Sequence, residues 1–209
     1  MSEKSLLGGV DLSSWTELMN KGTVRAVSGL AEMLGKEVKI TCFNLRRVSV
    51  AQGFKMFGGP QVRVVGVYLS IEEGASGHIV LAYPPSVACG LIDMLMGNPP
   101  GTTREIGEME ESALSEVGNV VGSFFLNSMA DDTGIRLKPS PPQVVMDRAG
   151  AVLGAAIDDV MQYGDDLFIM ETVFESSDKQ VNGLLLVLPS AEFLHVVKRH
   201  TDEYGKVPW

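Results

Sequence analysis

The sequence predicts an α/β protein of the α+β kind: a pseudo-twofold duplicated unit with a mostly antiparallel sheet and two long helices on one face. Three observations lead there. A polar pattern, Ser-x3-Glu-x2-Asn, occurs on two predicted helices, as Ser13, Glu17 and Asn20 in DLSSWTELMNKG and as Ser112, Glu116 and Asn119 in ESALSEVGNVVG. Glu17 and Glu116 are 99 positions apart, and so are Asn20 and Asn119. Apolar stretches bounded by Gly and Pro follow each helix in a similar order, without the regular strand–helix alternation of a parallel sheet.

The first helix is expected from about Asp11 to Leu34, with Asp11 or Ser13 as its cap and Gly35 as its stop. Gly22 and Gly29 weaken it, each by roughly 1 kcal/mol against Ala. KEVKITCFNLRRVSV (36–50) reads as a strand and AQGFKMFGG as a turn or short helix. QVRVVGVYLSIEEG (61–74) and GHIVLAYPP (77–85) read as two strands joined by a tight turn. Ser86 to Met96 is a short apolar helix closed by Gly97, and NPPGTTR (98–104) is the best linker.

The second half begins with a long helix from about Gly107 to Ala130. IRLKPSPPQVVMD is broken by prolines, and RAGAVLGAAIDDVMQYG contains a short helix. DLFIMETVFESS (166–177) and NGLLLVLPS (182–190) read as strands, and Ala191 to Arg199 as a terminal helix. The chain is therefore expected to be one domain of two similar halves, about 1–97 and 105–209.

The chain has 209 residues, 45% of them hydrophobic and 21% charged, enough for a real core. A net charge of −9 argues against a nucleic-acid partner, which calls for clustered Lys and Arg. Cys42 and Cys89 form neither a disulfide framework nor a metal motif and read as buried free thiols. No apolar run approaches the roughly 20 residues needed to span a bilayer, and the N-terminus lacks a signal-peptide pattern. Cytoplasmic location without membrane insertion is the expectation. No GxGxxG or GxxxxGK[ST] supports nucleotide binding.

On a helix, positions i, i+4 and i+7 lie close to one line. Each row thus presents a hydroxyl, a carboxylate and a carboxamide. On the second helix, Leu114, Val117, Val121, Phe124, Phe125 and Ser128 fall on one side, opposite Ser112, Glu116, Asn119, Ser123 and Asn127. Periodicity alone reads this polar face as solvated surface. Two features point further. Asn is a mediocre helix former, yet it holds both equivalent positions. The face around Glu116 is also poor in long charged side chains, which lets another surface come close. No histidine lies near either row, so a Ser-His-Asp reading has no support, and no metal-ligand cluster is visible.

ALSEVGNVVGSFFLNSMAD resembles the signature helix of the CheC/CheX/FliY family of chemotaxis phosphatases, whose motif is Asp/Ser-x3-Glu-x2-Asn-x22-Pro. Ser112, Glu116, Asn119 and Pro142 match every specified position. The first row matches the helical part, but Phe43 stands where the proline is expected. Duplicated layout and length resemble CheC most. The resemblance implies hydrolysis of the aspartyl phosphate of phosphorylated CheY, a response-regulator receiver that carries its own Mg²⁺ and lysine. No cofactor is then expected on this chain. It also implies roles: Asn119 and, less surely, Asn20 orient the attacking water, while Glu116 and Glu17 meet the receiver lysine. Ser112 and Ser13 support the glutamate or the contact edge, with Pro142 a supporting residue of the motif; the bland reading of Pro142 is that it merely shapes the chain after the second helix.

A carboxamide suits the water-orienting task, because its oxygen accepts from water while its N–H groups donate elsewhere. It is a poor base, so its effect is positional. Two alternatives stand beside the phosphatase: an adaptor that binds a receiver or CheD, the glutamine deamidase that partners CheC, and a flagellar switch component like the FliM middle domain.

Overall fold

The structure is a computed structural model describing residues 12–56, 58–161, 167–178, 181–190 and 193–195. In chain order its elements are α1 (Leu12–Leu34), β1 (Val38–Val48), α2 (Val50–Lys55), β2 (Arg63–Glu73), β3 (Gly77–Tyr83) and α3 (Pro85–Leu95). After the connection come α4 (Glu108–Thr133), β4 (Lys138–Pro139), β5 (Gln143–Arg148), α5 (Ala149–Met161), β6 (Leu167–Ser176) and β7 (Asn182–Pro189). Phe193–His195 are helical. The rest of the expected terminal helix, with Val196 and Val197, lies outside the described residues.

Among the described residues seven strands form one sheet in the order β1-β6-β7-β3-β2-β4, with β5 also on β2. Every pairing is antiparallel. The hairpins β2–β3 and β6–β7 meet at β3–β7 in the middle. Each hairpin takes its outer neighbour from across the 98–104 connection: β1 pairs with β6, and β5 with β2. β4 and β5 lie along the same edge of β2, separated by residues 140–142. Pro141 and Pro142 have no N–H to donate, which is why the edge breaks there. The proline-broken stretch thus contains a six-residue strand, β5, that its composition hides.

Side-chain alternation sends odd positions of β2, β3 and β7 to one face and even positions to the other. Val65, Val67, Leu69, Ile79, Leu81, Leu185 and Val187 join the core beneath α1, α3 and α4. Val64, Val80, Leu186 and Leu188 join a second cluster beneath α5. The two long helices share one face, as expected, and the opposite face carries α5. All seven residues of β3 are buried for this reason.

The caps follow local chemistry. Gly35 and Gly134 end α1 and α4 with φ of 60° and 68°, a region that costs glycine little. Ser13 has helical backbone within α1, and Asp11 is outside the described residues. The segment 98–104 is fastened. The N–H groups of Gly101 and Thr102 donate to one oxygen of Asp93 and that of Thr103 to the other, at 2.7, 3.0 and 2.8 Å.

The glycines that weaken the helices by propensity are contact points. A Cβ at Gly22 would stand 2.9 Å from the ring of Phe125, and one at Gly29 2.9 Å from the ring of Phe124. Phe124, expected on the buried side, is therefore partly exposed at the α1–α4 seam. A Cβ at Gly118 would stand 2.5 Å from Val67 Cγ1 and 3.1 Å from Pro142 Cβ. α4 can seat this closely on β2 only with glycine there. Cys42 and Cys89 are free and half-buried rather than buried. Burial, with the Asp93 charge, pushes the Cys89 thiol up.

Two predictions follow from packing and charge. Gly118→Ala loses about 1–3 kcal/mol through overpacking, despite a helix-propensity gain of about 1 kcal/mol. Gly90→Ala, where an added Cβ meets nothing within 4 Å, gains about 0.5–1 kcal/mol. Denaturant unfolding of both variants reads the opposite signs. A hydrogen bond from the Thr103 side chain, helped by the three N–H donors, holds the Asp93 carboxyl below its ordinary value of 3.8, against the opposing effect of burial. A folded pKa below the unfolded one gives stability that is present above the unfolded value and lost as pH falls through the folded one. Asp93→Asn is thus expected to lower the melting temperature at pH 7, with the gap to wild type closing below pH 3.8.

Candidate functional site

α4 carries the complete row. Gly107 caps it, and the Gly107 N–H donates to Glu110 Oε2 at 3.1 Å. Glu108, Glu110 and Glu111 in the first turn suit the positive end of the helix dipole. Leu114, Val117, Val121, Phe125, Leu126 and Met129 face the core. The face opposite is left to Ser112, Glu116 and Asn119, all exposed. Positions 116 and 119 are one turn apart, so their Cβ atoms stand about 5–6 Å from each other.

The row borders an open groove of about 460 Å³. Glu108, Glu111 and Glu116 line it, with Ser112, Ser115 and Asn119, and Pro142 supplies a wall from the break in the edge strand. Sequence distance hides this arrangement, because Pro142 reaches the row only through its packing on Gly118. The break is held by Ser140, whose N–H donates to the Ser70 carbonyl at 2.8 Å while its Oγ accepts from the Ser70 N–H at 3.0 Å. The Ser112 hydroxyl donates to the Glu108 carbonyl at 2.8 Å. It bonds its own helix and not Glu116. Glu108, Glu111, Glu116 and Asn119 make no side-chain hydrogen bond or ion pair among the described residues.

The first row is placed similarly and built differently. Glu17 and Asn20 are exposed on α1, and Ser13 lies on the same helix. The buried positions of the two helices correspond at the same offset: Leu18 with Val117, Met19 with Gly118, Gly22 with Val121, Ala26 with Phe125, Leu30 with Met129. The Gly118–Pro142 contact has no counterpart. Met19, fully buried, takes the glycine position. Phe43 takes the proline position within β1, opposite Thr172, and packs against the core. A proline there would interrupt a ladder that β1 keeps. Beside Asn20, Lys21 pairs with Asp132 at 3.7 Å, a cation where the second row has Val120.

The two rows do not converge. Lys21 meets Asp132 and Gly29 meets Phe124, so α1 and α4 run antiparallel. Asn119 lies 13 residues from Asp132, about 20 Å along the helix at 1.5 Å per residue. The rows therefore sit near opposite ends of the helix pair.

One polar constellation escapes sequence reading. His78, 5% exposed, bonds Tyr68 Oη through Nδ1 and Asp159 Oδ2 through Nε2, the latter at 2.7 Å. Burial, and then the Asp159 charge, raises the Tyr68 hydroxyl. These groups tie α5 to the face of the sheet away from α4, so they lie apart from the groove. Among the described residues no cluster of three or more His, Cys, Asp or Glu could hold a metal ion. No helix among them is long and apolar enough to cross a membrane.

Comparison with known proteins places this geometry. Residues 109–146, from the first turn of α4 through Pro142 into β5, match the CheC-like family. The CheY-P phosphatase CheC of Bacillus subtilis strain 168 is 30% identical over 177 residues, covering 83% of this chain and 85% of that protein. The crystal structure of Thermotoga maritima FliY superposes with a TM-score of 0.74 at 21% identity, covering 94% of this chain and 98% of that one. The FliM middle domain of H. pylori superposes with a TM-score of 0.65 at 13% identity, covering 93% and 99%. These structural likenesses carry the fold, and the sequence relationship carries the family: the chain belongs to the CheC-like family.

Proposed function

We propose that this chain is a phosphatase of a phosphorylated CheY-type receiver, with Glu116 and Asn119 as its principal working pair. The supporting observation is the groove: an unpartnered carboxylate and carboxamide one turn apart, over a wall formed by Pro142. The relationship to a CheY-P phosphatase supports the same reading. Three carboxylates in the groove disfavour binding a bare phosphate, so the substrate must bring its own cations. A receiver does so with its Mg²⁺ and lysine.

Glu116 accepts from that lysine in a charge-assisted hydrogen bond, which docks the receiver. Asn119 then accepts from a water through its carboxamide oxygen and sets it in line with the acyl phosphate. The water oxygen bonds to phosphorus as the phosphorus–oxygen bond to the aspartyl carboxylate breaks. The aspartate leaves as carboxylate, and the water's protons pass to the released phosphate and solvent. No group on this chain changes charge, which suits a carboxamide. Gly118 and Pro142 position Asn119 by holding its turn of α4 against the edge strand.

Glu17 and Asn20 form a second, weaker site in this proposal, within two halves, about 1–97 and 105–209, related as copies. Met19 and Phe43 in place of the glycine–proline contact favour a docking role there without hydrolysis. A wholly non-catalytic receiver- or CheD-binding adaptor, or a FliM-like switch component, is the second reading, and the fold shared with the FliM middle domain favours it.

Phosphate release from a phosphorylated CheY receiver with Mg²⁺ tests the assignment. Asn119→Ala is expected to lower the rate by about 10–100-fold, the cost of losing the alignment of the attacking water. Asn20→Ala is expected to cost less. Because both side chains are exposed, unfolding stability should stay within about 0.5 kcal/mol of wild type. A wild type that releases no phosphate, alone or with CheD, would overturn the phosphatase reading in favour of docking.

A further inference from the structure

The groove has a rim that the working pair does not use. Met109 is 67% exposed, on the first turn of α4. Burial in the helix's own core does not explain it, and capping is done by Glu110. Stepping 109, 112, 116, 119 moves along one face, so Met109 stands at the head of the row formed by Ser112, Glu116 and Asn119. On the other side is β5. Val144 packs against the core beneath α4, and Met146, two residues on, shares that face of the sheet. Met146 pairs in register with Val65, while Val67 lies against Gly118. Two strand residues are about 7 Å, so Met146 is displaced toward the start of α4 by that length. It is 46% exposed.

Between these methionines lie Glu108 and Glu111, which make no ion pair among the described residues. One acid in the first turn serves the capping box, and the two others face the groove. The whole is an amphipathic rim: flexible apolar side chains on two flanks, carboxylates between. Exposed methionines adapt to partner surfaces of varied shape. The complementary surface is protein, with an apolar patch beside a cation-bearing pocket. A small acyl phosphate offers neither.

Building on the phosphatase reading, we propose that Met109 and Met146 are apolar anchors for the receiver and that Glu108 and Glu111 align its positive charge, so that this rim selects which receiver is bound. The rim adds to the affinity that the Glu116 contact supplies, while Asn119 sets turnover. Its residues are specificity-determining and stand outside the reacting atoms.

Steady-state hydrolysis of a phosphorylated receiver by the full chain tests this. Met109→Ser with Met146→Ser is expected to raise KM about tenfold and to leave kcat within about twofold. Glu108→Gln with Glu111→Gln is expected to raise KM and flatten its dependence on salt. If wild type turns over the receiver and both double variants keep its KM, the rim is overturned and the phosphatase reading stands. If wild type turns over no receiver, that reading fails. Titration with a beryllofluoride-activated receiver then decides the rim: about tenfold weaker binding by the methionine variant supports it, and equal binding or none by wild type overturns it.

Discussion

The close seat of α4 on β2 governs the site. At Gly118 the helix backbone comes near enough to Val67 that a single added carbon would collide with it. Two consequences share this contact, and a separate pair of glycines extends the packing. The sheet-facing side of α4 is pressed into the core, which turns Glu116 and Asn119 outward. Pro142 reaches the helix at the same residue, so the edge strand and the helix frame one groove. Gly22 and Gly29 then let α1 pack against Phe125 and Phe124 on the same helix. A glycine is weak in a helix by propensity and indispensable here by distance.

Much of the fold is legible in the sequence because periodicity is a local property. The two long helices, the β2–β3 and β6–β7 hairpins, and Gly35 and Gly97 as helix stops follow from apolar spacing and turn residues. The second helical layer is not read, although GHIVLAY and NGLLLVLP carry its signal. A continuous apolar strand in an antiparallel sheet has both faces covered, and α5 covers the second. β5 is missed because the prolines before it suggest a loop, whereas they interrupt an edge that resumes at Gln143. Phe124 is misplaced because a helical wheel assumes a single buried direction, while α4 packs against both a sheet and a helix.

The candidate site is legible to a different degree. Ser112, Glu116 and Asn119 are a local pattern, and the structure leaves them in a row on one exposed face. Pro142 is legible only through the family motif, because the contact joining it to the row runs through Gly118. The carboxylates Glu108 and Glu111 read as ordinary first-turn acids until the groove shows where they point. Met109 and Met146 give no signal at all in the sequence, since exposure is decided by neighbours far along the chain. The first row shows the converse: its pattern is plain, but Met19 and Phe43 make its surroundings those of a packed helix.

The crossing of strands over the 98–104 connection bears on how such a chain can be altered. β1 completes the sheet beside β6, and β5 completes it beside β2, so each hairpin borrows an edge from across the 98–104 connection. Neither side of that connection can drop a strand without exposing a ladder of unpaired amides in its neighbour. Severing the backbone at the clasp on Asp93 would leave two fragments that need one another to fold, a covalent cut without a structural one.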